Sequence, residues 1–524
     1  MGIYLNPGNE VFRRISSAEI FIDKSEVLNV TNGLIDADNN LICMSRARRF
    51  GKTVVQNMIA AYYSKGCDSR SMFDSLKISE DPDYEKYLNK YNVIQIDLNS
   101  EYQSIENKES ILKVLTEDIK VEMRNQFPEV VLESEDSLAR SIQKVFLATG
   151  ETFILLIDEY DVLIREKVPQ KLFDDYLSFL NGLFKSNTLR PAISLAYLTG
   201  ILPVVRDKIQ SKLNNFDEYT MMDADGFAGF IGFTTDEVEA LCDRYGMDFE
   251  ECRGWYDGYS INGVELYNPE SVVKSMKRKE YGGYWSKTSS YQVITDRIEQ
   301  NFKGIKDDII RMLAGEEVDV NVTSYLNTMD SFFTKDDVFT YLLHLGYLAY
   351  DRKNGTCRIP NREVRQEWFN AIAVNGEYEA TDEIIKNSKE LLEATFRGDE
   401  EAVARALDVS HMHVASNRNY HNEDVFQSAI YLAYIYALNK YVVKKEVTSG
   451  KGFADVVYLP YVKDIPAMVI ELKHDKTAES ALDQIKKKQY FESLDKFSGE
   501  VLLVGINYDE KTKVHSCRIE RWEK

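Results

Sequence analysis

The sequence predicts an α/β fold in more than one domain, and three observations carry that prediction. In residues 1–225, short apolar runs that read as buried strands alternate with helix-patterned stretches. From 226 to 410 the pattern is mostly helical. From 411 to 524, two β-rich runs flank a turn-rich loop, and another helix follows them. At 524 residues the chain is too long for a single core, so a division at these points is expected.

The first strand is LICM (41–44), followed by RARRFGKT (46–53) and then VVQNMIAAYYS, in which Val54, Met58, Ile59 and Tyr62 recur at helical spacing. Strand, glycine–lysine–hydroxyl turn and helix are the parts of a phosphate-binding loop, whose backbone N–H groups face phosphates at the helix start. Gly51, Lys52 and Thr53 fit that pattern, but Arg46 stands where the first glycine belongs. A second buried strand, in TFILLIDEYD (152–161), ends in Asp158 and Glu159. In ATP-hydrolysing sites such a carboxylate holds the Mg²⁺ shell, and its neighbour can orient or deprotonate the attacking water. A third, AISLAYLTG (192–200), brings Thr199 to a position where it can sense a γ-phosphate. ATP and Mg²⁺ are therefore the expected cofactors. Arg46, Arg48, Arg49, Phe50, Gly51, Lys52, Thr53, Asp158 and Thr199 are the candidate nucleotide residues, with Thr53 and Asp158 on the metal and Glu159 catalytic. The three arginines can donate to phosphate or pair with acids of this acidic region; Arg49 is expected nearest the nucleotide.

The middle shows no catalytic cluster. Thr234 with Glu237 three residues on reads as a helix N-terminus, and Asn268-Pro269 as another. WYDGYS (255–260) reads as core with polar tips. KELLEATFRGDEEAVARAL (389–407) has a helical pattern and reads as a connector, and the whole region as a lid and spacer.

In GKGFADVVYLPYVKDIPAMVIELKHD (450–475), a hairpin pairing Leu459 with Ala467 would set Asp455 opposite Glu471. Glu471 and Lys473, two apart on one strand, share a face. Two carboxylates and an ammonium so gathered suit metal-assisted phosphodiester hydrolysis: oxygen ligands for Mg²⁺, and a cation near the attacking water or scissile phosphate. His411 and His413 are spaced for one face of a strand but lack a third ligand motif, and His474 is expected to point away from the site.

Several stretches together carry a resemblance. FIDKSEVL (21–28), SRARRFGKT (45–53), VIQIDLNS (93–100), LIDEYDVLI (156–164), TGILPV (199–204), SKLNNF (211–216), WYDGYS (255–260), YNPESVV (267–273) and IPNREV (359–364) resemble a prokaryotic family of AAA-ATPase-like proteins. That family carries Arg-Pro-Arg-Arg-Phe-Gly-Lys-Ser at its loop, so an arginine at the first-glycine position belongs to the pattern. Here Ala47 replaces the proline and Thr53 the serine. Either hydroxyl can reach Mg²⁺, so the departure touches only loop stiffness. Asp455 with Glu471-Leu472-Lys473 resembles the PD-(D/E)XK nuclease superfamily. The resemblance implies that Gln484 and Tyr490 in SALDQIKKKQYFESL (480–494) belong to the site, with Gln484 catalytic, and that Lys486–Lys488 meet backbone phosphate. It also implies that Glu423 is an extra metal-binding acid beside Asp455 and Glu471. The implied architecture is a P-loop AAA-like ATPase domain (1–225), a helical lid and spacer (226–410) and an α/β restriction-endonuclease-like domain (411–524).

Composition narrows the partners. The net charge of −21 argues against a protein that coats nucleic acid nonspecifically. Residues 420–524 hold 16 Lys plus Arg and 16 Asp plus Glu, so the whole deficit lies before them and the C-terminal module is neutral. Such a module can still present a local basic face. No apolar run approaches the roughly 20 residues of a membrane span, and MGIYLNPGNE shows no leader. Six scattered cysteines without a Cys-x-x-Cys pair read as reduced thiols, and a cytoplasmic location is expected. The expected function is an ATPase coupled to a Mg²⁺-dependent nuclease acting on nucleic acid, DNA first, with no membrane partner and homo-oligomerisation left open. The competing expectation is a signalling or scaffold ATPase whose nuclease-like module binds without cutting.

Overall fold

The computed structural model describes residues 2–204, 215–285, 294, 302–325, 332–374, 379–415, 430–446, 455–488 and 499–522, apart from 167, 314, 431–432 and 463. The chain divides into two compact units, one of Met1–Thr288 with Val318–Val364, the other of Ser289–Glu317 with Arg365–Lys524. This partition cuts the chain differently from the three-part division read from the sequence.

The first unit is built on a parallel sheet of β1 (Leu41–Ser45), β2 (Asn92–Asp97), β3 (Phe153–Asp158), β4 (Ile193–Gly200) and β5 (Asp217–Tyr219), in the order β2-β3-β4-β1-β5. Strands β1, β3 and β4 are buried along their whole length, which explains why they read as unbroken apolar runs. On one face, Leu155 and Ile157 pack with Leu115, Ile119, Ile142, Val145 and Leu180 from the helices Ile111–Gln126, Leu138–Thr149 and Gln170–Phe184. Helix α1 (Lys52–Tyr63) packs on β2, β3 and β4. Its buried stripe is Val55, Met58, Ile59 and Tyr62, whereas Val54 is 38% exposed. The helical period allows either valine; α1 buries Val55 and leaves Val54 partly exposed, both at the cavity described below.

The middle of the sequence is mainly helical, with two small three-stranded antiparallel sheets added. Helix α2 (Thr235–Tyr245) begins with a full capping box between Thr234 and Glu237. Helix α3 (Pro269–Arg278) begins at Asn268, whose side chain accepts from the amides of Glu270 and Ser271. Trp255, Tyr256 and Tyr259 are buried, with the Tyr256 hydroxyl on the Gly282 carbonyl and the Tyr259 hydroxyl on that of Gly346. WYDGYS is thus core with polar tips.

In the second unit the connector is two helices, α4 (Glu379–Arg397) and α5 (Glu400–Ala415). The break falls at Gly398, whose φ of 71° ends one helix, while the Asp399 carboxylate accepts from the Ala402 amide and starts the next. His411 and His413 therefore lie in α5 and not in a strand, and a two-residue spacing does not repeat a helix face. The sheet runs β6 (Tyr441–Glu446), β7 (Asp455–Pro460), β8 (Ala467–His474), β9 (Val501–Asp509) and β10 (Val514–Trp522) in chain order. All neighbours are antiparallel except β8 and β9, which are parallel, with α6 (Ala478–Lys488) lying between them in the chain. Met468, Ile470 and Leu472 pack with Leu391, Val403 and Leu407 of α4 and α5; Ala467 and Val469 pack with Leu482 and Ile485 of α6. Glu471 and Lys473 continue this second row, on the α6 side of the sheet.

Among the described residues no helix is long and apolar enough to cross a membrane. All six cysteines carry free thiols.

Candidate active sites

Parallel pairing brings three strand ends of the first unit together. With β4 between β1 and β3, Thr199 is paired to Met44, and Ile157 to Leu198. The loop after β1 and Asp158 at the end of β3 thus flank the end of β4, the place where open α/β sheets bind ligands. Gly51 starts α1 with φ 95°, a conformation that a side chain would strain.

Asp158 is held by two hydroxyls: Thr53 donates to Oδ2 at 2.6 Å, and Thr199 donates to Oδ1. The Lys52 ammonium is buried and donates to the carbonyls of Arg46 and Ala47 at 2.9 and 3.1 Å. Burial pushes Lys52 below its usual range, against the pull of Glu159 and Asp158. Burial likewise pushes the Glu159 carboxyl up, opposed first by Lys52. Glu159 has φ 51°, which aims it out of the strand line, and Arg165 holds its carboxylate in an ion pair. The Arg165 guanidinium also donates to Asp161 at 2.9 Å, and Asp161 accepts from the amides of Ile201 and Leu202. Burial alone would lower Arg165, but Asp161 and Glu159 hold it above its usual range. Asp161 and Arg165 join this cluster without having been singled out in the sequence. Their four-residue spacing is a helix-pair signal, but nothing in the sequence says that Arg165 reaches back to Glu159.

A cavity of about 640 Å³ opens beside these groups. Arg48, Arg49, Phe50, Gly51, Lys52, Thr53 and Glu159 line it, together with an apolar end that includes Ile20, Phe21, Phe230 and Phe233. Arg46 is not part of the lining. It is fully buried, and its Nη1 donates to the carbonyls of Ser45, Tyr219 and Thr220, tying the loop to β5. Burial lowers its pKa to about 10. Arg49, expected nearest the nucleotide, donates to the carbonyls of Tyr284 and Trp285 and pairs with Glu270 at 3.1 Å. Phe50 is buried edge-on to Tyr259, and Ala47 is fully buried, so packing stiffens the loop where the family pattern uses proline. Asp158 and Thr199 stand behind the lining, joined to it through Thr53.

In the second unit, the pairs Val456↔Ile470, Val457↔Val469 and Tyr458↔Met468 set the hairpin in the expected register, which extends to place Asp455 opposite Glu471. The Asp455 side chain lies outside the described residues, as do Glu423 and Tyr490. Glu471 is fully buried and Lys473 nearly so; the Lys473 ammonium donates to Glu471 Oε1 at 2.5 Å and to Gln484 Oε1 at 2.5 Å. Gln484 reaches Lys473 because α6 lies close against the sheet, and Gly505 is what permits this. Gly505 pairs with Glu471 across the β8–β9 ladder, and a Cβ there would stand 2.4 Å from the Ala478 carbonyl oxygen. Its signal in the sequence is a lone glycine inside an otherwise apolar strand, VLLVGINYD. Lys486 pairs with Glu520 at 2.7 Å, and His474 meets Asp475 and Tyr508 instead of Glu471.

Comparison with known proteins agrees with the two kinds of domain. Residues 8–210 match the family model described as predicted AAA-ATPase, and residues 421–517 match that of the PD-(D/E)XK nuclease superfamily. An "Uncharacterized protein in vnfD 5'region" of Azotobacter chroococcum mcd 1 is 22% identical over 499 residues, covering 90% of each chain. The solved structure of the Aeropyrum pernix ORC2 protein shares 10% identity at a TM-score of 0.31, over 69% of this chain and 98% of that one.

Proposed function

Since the chain joins an AAA-ATPase-like domain to a PD-(D/E)XK nuclease superfamily domain, we propose that it hydrolyses ATP and couples this to Mg²⁺-dependent cleavage of DNA. The observation that carries the first half is the cavity on which Lys52, Thr53 and Glu159 converge, with Asp158 held behind them by two hydroxyls. The working division is an ATPase domain at 1–225, a lid and spacer at 226–410 and a nuclease domain at 411–524, in a cytoplasmic protein.

Lys52 would exchange its two carbonyl partners for β- and γ-phosphate oxygens, whose charge restores the ammonium that burial disfavours. Thr53 and Asp158, a hydroxyl and a carboxylate already in contact, form a donor set suited to Mg²⁺. When bound, Mg²⁺ neutralises charge on the phosphates. Glu159 takes a proton from water as the water oxygen bonds to the γ-phosphorus; the bond from that phosphorus to the bridging oxygen breaks, and its electron pair leaves with ADP. Thr199 senses the γ-phosphate through Asp158.

In the second unit, Glu471 and Asp455 would hold Mg²⁺ and Lys473 would face the attacking water or the scissile phosphate, with Gln484 fixing the ammonium. Water bonds to phosphorus, one phosphodiester P–O bond breaks, and the departing oxygen takes up a proton. Glu423 is proposed as an additional ligand.

The test is one panel: plasmid, linear and single-stranded DNA and RNA with Mg²⁺ or Mn²⁺, with and without ATP, alongside phosphate release. Lys52→Ala is expected to reduce ATP turnover by roughly a hundredfold or more; unchanged turnover removes the nucleotide-site assignment. A folded Asp455→Ala, Glu471→Ala double variant is expected to lose Mn²⁺ binding and cleavage together. If it cuts like the parent protein, the cleavage belongs elsewhere. If the parent protein cuts no substrate under any condition, the module binds without cutting.

A further inference from the structure

The loop carries three arginines, and two of them already hold main-chain carbonyls. Arg46 is fully buried, its guanidinium on three main-chain carbonyls. Arg49 is fastened to the carbonyls of Tyr284 and Trp285 and to the Glu270 carboxylate at the head of α3. Arg48, between them in sequence, is different. Like Arg49 it lines the cavity with Lys52, Thr53 and Glu159, but it is exposed, and among the described residues no hydrogen bond or ion pair engages its guanidinium. Its main chain is nevertheless steadied: its carbonyl accepts from the Asn268 side chain at 3.5 Å, the same side chain that caps α3.

An exposed arginine lining a cavity that also holds a lysine and the proposed general base matches what phosphoryl transfer asks of an arginine. In the loose transition state, charge spreads over the equatorial and bridging oxygens. A planar fork of donors answers that spread, and a lysine point charge does not. Arg48 makes no internal bond that ATP would first have to break. Its neighbours would each leave main-chain carbonyls without a donor if they turned to phosphate.

We infer that Arg48 is the catalytic arginine of this ATPase, supplied from within the loop itself and acting on the transferring phosphoryl group, while Arg46 and Arg49 are positioning residues. This rests on the ATPase reading above, and the experiment separates the two. In full-length protein, Arg48→Ala and Arg48→Lys are compared with Lys52→Ala for ADP affinity, for steady-state kcat and KM, and for affinity to ADP with aluminium fluoride. Arg48→Ala is expected to lower kcat on the order of a thousandfold and to lose the preference for the fluoride complex, with ADP affinity and unfolding temperature unchanged. Arg48→Lys restores little, because the fork is gone. An Arg48→Ala protein that keeps the parent kcat while Lys52→Ala loses it overturns this inference and leaves the ATPase reading standing. Equal loss of ADP affinity and kcat in Arg48→Ala also overturns it, since the residue would then bind the ground state. Unchanged turnover in Lys52→Ala overturns the reading beneath both.

Discussion

Each of the two units buries a lysine beside carboxylates, but they satisfy those charges in opposite ways. In the first, Lys52 donates to the carbonyls of Arg46 and Ala47, and Asp158 accepts from Thr53 and Thr199. Cation and anion are each held by neutral groups. In the second, Lys473 donates directly to Glu471 and, among the described residues, also to Gln484. The first arrangement can admit a charged ligand by exchanging neutral partners. In the second, Lys473 occupies one oxygen of Glu471, so a cation held there would share the carboxylate with the ammonium. A buried pair contributes little net stability, yet removing one member leaves the other uncompensated. The first site is thus built for exchange, and the second keeps its lysine and Glu471 together.

That contrast can be broken most directly at the second site. Lys473→Ala should lower stability by about 3–5 kcal/mol, because Glu471 is left buried without its cation. Lys52→Ala should cost only about 1–3 kcal/mol, the price of two carbonyls without a donor. Urea unfolding of both variants checks this, and similar values for the two would erase the distinction. Next in size is Arg46→Gly, which restores the common form of the loop and yet should cost about 2–3 kcal/mol and lower ATP turnover. It removes a charged donor from the carbonyls that tie the loop to β5. A variant as stable and active as the parent would show that this tie is idle.

Gly505→Ala tests the closeness of α6 to the sheet. The added methyl meets backbone, so the helix must shift, at about 1–3 kcal/mol, and Gln484 should lose its hold on Lys473. A structure of the variant with the Lys473–Gln484 bond intact contradicts this. The smallest effect is in pH. Glu159 acts as a base only when ionised, and burial raises its pKa, so ATP turnover should fall with decreasing pH while still above the ordinary carboxylate range of about 4.3. Arg165 works against that rise, so Arg165→Ala should move the acid limb to higher pH. An acid limb at the ordinary value, or one that Arg165→Ala leaves in place, removes Glu159 as the base.

Local pattern made much of this legible. The strand–loop–helix of the phosphate site, the capping box at Thr234, the helix start at Asn268 and the β7–β8 register with Asp455 facing Glu471 all follow from short-range periodicity and turn chemistry. So does the placing of Asp158 and Thr199 at strand ends, with Glu159 next after Asp158. The division of labour among Arg46, Arg48 and Arg49 was not legible, because the carbonyls that claim two of them lie about 170 to 235 residues away in sequence. Nor was the clamp of Arg165 on Glu159, which depends on how the chain leaves β3 at a positive φ. The break of the connector at Gly398 was open to the sequence, since a glycine followed by an aspartate is both stop and start. Residue type and spacing by themselves determined which groups could do chemistry here. Which of those groups are left facing a cavity was decided only by tertiary structure, because buried donors and acceptors take whatever partners long-range packing brings within about 3 Å.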